Sequence, residues 1–174
     1  GAKPKFNISY VEKFYDLDYL KNWLDETRWN DFIEHSNDID NKIMNIGVVL
    51  QYQRDFLDNE KAKVAMEFLY EYLDSKKNKE TQMWGKCDVE NPDELSRTIQ
   101  FSYHLYMLYI YDKKEIKAKN KIVELTLKTQ NMLGGFGVKL NSSACEDIDS
   151  IELLLYLSEA NNDEVDQSIK KAFV

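Results

Sequence analysis

The sequence predicts an all-α fold of antiparallel α-hairpin repeats, and three observations carry that expectation. Only six glycines and two prolines occur in 174 residues, so long stretches run without a helix breaker. Apolar residues recur at helical rather than alternating spacing. Helices of two kinds also alternate along the chain. Residues 41–52 (NKIMNIGVVLQY), 98–111 (TIQFSYHLYMLYIY) and 148–157 (IDSIELLLYL) are apolar on nearly every side, which predicts enclosed helices. Between them, 59–74 and 115–128 carry one apolar stripe among Lys and Glu, and 163–173 does the same after the third.

The elements follow in order. Residues 1–36 read as an irregular N-terminal helical segment, with Tyr19, Leu20, Trp23 and Leu24 on one stripe. Residues 37–174 read as three α-hairpin repeats in one continuous domain. Their inner helices are expected near 41–56, 93–111 and 144–159, and their outer helices near 59–75, 115–130 and 162–172. The stripe of the first outer helix is Ala62, Ala65, Met66, Leu69 and Leu73; that of the last is Val165, Ile169 and Phe173. Short links, DFLDN and DKKE, suit antiparallel neighbours. An aromatic-Gly pair precedes the second and third inner helices, at Trp84-Gly85 and Phe136-Gly137, 52 residues apart. A period of about 50 residues in helix pairs means hairpins that bury their faces on one another.

Charge and composition exclude several classes. The net charge of −8 disfavours nucleic acid and anionic membrane surfaces, which require a basic face. No apolar run reaches the roughly 18 residues of a membrane span, and GAKPKFNISY lacks a signal-peptide core, so a cytoplasmic location is expected. Cys87 and Cys145 read as free thiols of a reducing compartment. Glycines 134, 135 and 137 lack the Lys-Ser/Thr pair that closes a phosphate cradle, so no cofactor is expected.

Hairpins of this period, with NMLGGFG at 131–137 after Gln130 and SACEDIDSIELL at 143–154, resemble the α/α-toroid superfamily of terpenoid cyclases and protein prenyltransferase β subunits. The resemblance covers roughly 37–174 and implies an open arc or partial toroid, because a closed ring has more hairpins than this chain supplies. It implies that Asp147-Ile148-Asp149-Ser150 stands at an acid motif, with Asp149 in the alkene-protonating position and Asp147 beside it as the second catalytic candidate. Ser150 replaces that motif's final Asp. The resemblance also raises a zinc reading on Cys145, Asp147 and His104, but the Cys and Asp stand in reversed order, and no metal is expected. The partner implied is an apolar or isoprenoid-like small molecule, or a protein on the concave face.

The residues themselves admit plainer roles. Ser143-Ala144-Cys145-Glu146 is a capping-box pattern, and the acids after it complement a helix dipole. Tyr103, Tyr106, Tyr109 and Tyr111 suit core packing as well as a cation-stabilising wall. Asn41, Lys42 and Asn45 either cap the first inner helix or face a cavity. Inner helices that begin at one end bring their first turns together. Binding residues Asn41, Trp84, Arg97, His104, Phe136 and Glu146 are therefore expected around one mouth with the two acids. A non-catalytic scaffold and a glycan-processing site with paired carboxylates are the alternatives.

Overall fold

The computed structural model describes residues 6–30, 38–137, 143–159 and 162–173. The regular elements among them are all helices, joined by turns that hold only two isolated β-bridges. A 3-10 helix at Ser9–Tyr15 leads into α1 (Leu17–Asp25), α2 (Ile39–Leu57), α3 (Glu60–Lys76), α4 (Pro92–Tyr111), α5 (Lys119–Leu127), α6 (Ala144–Leu157) and α7 (Asp163–Ala172). No helix among the described residues is long and apolar enough to cross a membrane.

Local chemistry sets most helix starts. The Asn59 side chain accepts the N–H groups of Lys61 and Ala62. Asn91 does the same for Asp93 and Glu94, with Pro92 in the first turn, where its missing N–H costs nothing. Ser143 and Glu146 form the full capping box at α6. The start of α5 differs from expectation. The stripe pointed to 115, but Ala118 takes a left-handed conformation as N-cap, and the helix begins at Lys119. Ile116, in the link before it, is buried in the core instead of continuing a helix.

α4 is the central element. It packs against α2 on one side and α6 on the other, and it touches α5. Leu95, Ile99, Leu105, Tyr106, Leu108 and Tyr109 of α4 lie in one buried cluster with residues of every other α-helix. Val11 and Phe14 of the 3-10 helix, Leu20 and Leu24 of α1, and Trp29 join that cluster. At Gly47 a Cβ would fall 2.5 Å from a Leu108 methyl carbon, so the missing side chain permits the α2–α4 approach. The expectation of full enclosure for the apolar helices is corrected at α2 and α6. Lys42, Asn45 and Val48 of α2 are exposed, as are Ile148, Leu155 (61%) and Tyr156 of α6.

The two loops that carry the aromatic-Gly pairs share a local design. Antiparallel bridges join Lys77 to Trp84 and Gln130 to Phe136. In each loop an Asn opens the turn: Asn78 N–H donates to Met83 O, and Asn131 N–H to Gly135 O, at 2.8 Å in both. Gly85 (φ 101°) and Gly137 (φ 119°) follow the aromatics in a region that L-residues with side chains rarely adopt. At Gly137 a Cβ would also lie 2.7 Å from the Glu146 carboxylate.

Candidate functional site

The first turn of α2, the first two turns of α6 and the middle of α4 line one cleft of about 240 Å³. α2 contributes Ile39, Asp40 and Asn41, with Asp38 just before them. α4 contributes Arg97, Gln100, Phe101 and His104, a single helical face at spacings of three and four. α6 contributes Cys145 and Asp149, one turn apart. The wall is mostly polar. Four of the expected site residues, Asn41, Arg97, His104 and Asp149, therefore meet here.

Asp149 and His104 dominate the electrostatics. Asp149 is only 5% exposed, though it lines the cleft. Burial pushes its carboxyl up to about 6; His104 works against this, while Asp40, Glu152 and Glu146 add to it. No hydrogen bond figures among these leading influences. Across the cleft, His104 Nδ1–H donates to Asp40 Oδ2 at 2.8 Å, which ties α4 to the first turn of α2. Burial alone would lower the His104 pKa. The Asp40 hydrogen bond and the charges of Asp149 and Asp40 together outweigh it, and the net direction is upward.

The remaining candidates lie elsewhere. Asp147 accepts the Phe136 backbone N–H at 2.7 Å and so fastens the GGFG loop to α6. Glu146 closes the capping box by accepting the Ser143 N–H at 2.7 Å. Trp84 and Phe136 do not line the cleft; both are fully buried. The Trp84 indole donates to Leu73 O at 2.8 Å, and its ring meets Tyr106 and Tyr109. Both belong to the core because their loops fold back along the preceding helix. Tyr103 donates to Glu152 at 2.6 Å. Arg97 is exposed, with a long contact to Gln100 Oε1 at 3.4 Å.

Sequence reasoning missed Asp38, Asp40, Gln100 and Phe101. Asp40 had a usable signal, since a histidine on an apolar helix requires a polar partner and a helix-start acid can supply one. Cys87 and Cys145 are free. Burial pushes the Cys87 thiol up, while Cys145 sits exposed at the cleft edge. Among the described residues, no three His, Cys, Asp or Glu side chains are grouped to hold a metal ion, and Cys145, Asp147 and His104 do not form such a set. No protein-family model matches the chain, and no curated protein or solved structure matches it.

Proposed function

We propose that the chain is a ligand-binding module whose cleft captures a small molecule with a cationic head, an amine or a guanidinium. The single observation behind this reading is Asp149, a carboxylate desolvated at a cleft wall. A buried carboxylate is costly unless a cation or several N–H donors compensate it, and an incoming cation would do so. Asp38, Asp40 and Asp149 face one guanidinium and one imidazole in the wall, so the balance there is acidic. The net charge of −8 steers cations toward it.

Other readings draw less support. Alkene protonation in the terpenoid-cyclase manner calls for a strong acid in an apolar, aromatic-lined cavity. Here the acid is weakened to about 6, and the wall is polar. The toroid likeness itself belongs to this proposal: α2, α4 and α6, which pack side by side, would form the inner layer of a partial ring. One observation favours the glycan-processing alternative. Asp40 and Asp149 line the same cleft, and the raised one would serve as general acid.

Calorimetric titration with methylguanidinium, and with acetate as its anionic counterpart, tests the binding reading. The cation should bind, acetate should not, and Asp149→Asn should weaken the cation by at least about tenfold, the equivalent of about 1.4 kcal/mol. Equal binding to wild type and Asp149→Asn would refute it. Turnover of a glycoside, lost in the same variant, would favour the hydrolytic alternative.

A further inference from the structure

We infer that the cleft exchanges a cation for a proton, so that each ligand captured expels one proton from the space between Asp40, His104 and Asp149. This rests on the cation-binding reading above. Three elements meet at the imidazole. His104 projects from α4, its Nδ1–H is held by Asp40 of α2 at 2.8 Å, and Asp149 of α6 lines the same small volume. With Nδ1–H fixed by a carboxylate, the proton that comes and goes sits on Nε2.

The charged groups around His104 set the direction of exchange. α2 presents Asp38 and Asp40, and α6 presents Asp149 with Cys145. Glu146 of α6 is occupied in its capping box, and Glu152 accepts the Tyr103 hydroxyl. Arg97 shares the helix of His104 but is exposed. α5, which also packs against α4, supplies no residue to the cleft wall. In the empty cleft a protonated His104, half-buried, is the cation that partners Asp40 and offsets the charge of Asp149. A guanidinium or ammonium in the same 240 Å³ competes for the same two carboxylates. Two cations side by side in one small cleft repel, so the titratable one yields its proton to solvent. Ligand is held above the His104 pKa and released in acid.

The test is calorimetry of methylguanidinium binding to the whole chain in two buffers of different ionisation heat. About half a proton should be released per cation bound at the His104 midpoint, rising toward one at lower pH, where affinity should rise about tenfold per pH unit. His104→Gln should keep binding but release fewer protons, with a flatter pH profile. Should that variant not fold, the wild-type His104 ring signal in NMR serves instead, and saturating methylguanidinium should move its midpoint downward. Binding without proton release, flat from about pH 5 to 8, overturns the exchange and leaves the binding reading standing. Absence of binding at every pH overturns both.

Discussion

Replacing Asp112 by Ala should cost up to about 3–5 kcal/mol of stability, because it takes a bidentate partner from the half-buried Arg54 guanidinium. Asp112 holds Arg54 through two parallel bonds, Nη1 to Oδ2 at 2.7 Å and Nη2 to Oδ1 at 2.6 Å. Tyr70 donates to Asp112 Oδ2 at 2.6 Å, and the Gln51 amide donates to Leu108 O at 3.0 Å nearby. The network thereby joins α2, α3 and the end of α4. Asp55 also pairs with Arg54, at 2.6 Å, which places the expected loss toward the lower end of that range. Burial would raise the Asp112 pKa, but the bonds from Arg54 and Tyr70 outweigh it, and the net direction is downward. Its stabilisation is therefore present above the ordinary carboxylate pKa and is lost as pH falls through the lowered folded value. Urea denaturation of wild type and Asp112→Ala should show a gap at neutral pH that narrows in acid. A variant as stable as wild type at pH about 7 would mean that the pair contributes nothing net.

Trp84→Ala should be as damaging, at about 3–5 kcal/mol, through the cavity it leaves. The indole lies 4.8 Å from the Tyr106 ring and 5.9 Å from that of Tyr109, centroid to centroid. Lys77 Nζ stands 4.8 Å from its centre, and the Trp84 backbone N–H donates to Ser102 Oγ at 3.3 Å. Trp84 thus anchors the loop after α3 to the middle of α4 through its ring and its backbone. Trp84→Phe would keep most of the packing but orphan the Leu73 carbonyl, so its loss should be smaller. Chemical denaturation of the two variants checks the order. Equal losses would place the energy in the hydrogen bond rather than in the ring.

The helical character was legible because local signals agree with the global pattern. Asn91-Pro92 and Ser143 with Glu146 mark their own helix starts, and the spacing of Leu95, Ile99, Leu105 and Tyr106 marks the buried side. The left-handed Ala118 has no such signal, since alanine is a strong helix former. Exposure on α6 was hidden for another reason: composition says that Ile148 and Leu155 are apolar, not that a neighbour covers them. The site was half visible. Converging first turns brought Asn41, Arg97, His104 and Asp149 together, but Asp40 and His104 pair across 64 residues, a contact only the fold creates. Trp84 and Phe136 were misplaced because the aromatic-Gly motif does not reveal which way its loop folds. Asp147 and Asp149 lie two positions apart, about 200° around a helix, so they serve opposite faces.

That division between two acids is the centre of the account, and paired denaturation of Asp147→Asn and Asp149→Asn tests it most directly. Asp147 bonds to the Phe136 N–H, so neutralising it weakens a charge-assisted bond and should cost about 1–2 kcal/mol. Asp149 is the reverse case. Its folded pKa of about 6 exceeds the ordinary 3.8, so its ionisation costs native stability as pH rises between those values and continues to do so above them. At about pH 8 the Asp149→Asn protein should therefore be more stable than wild type, by about 1–2 kcal/mol. Opposite signs are the predicted result. A loss of stability in both variants would contradict it and return Asp149 to a purely structural role.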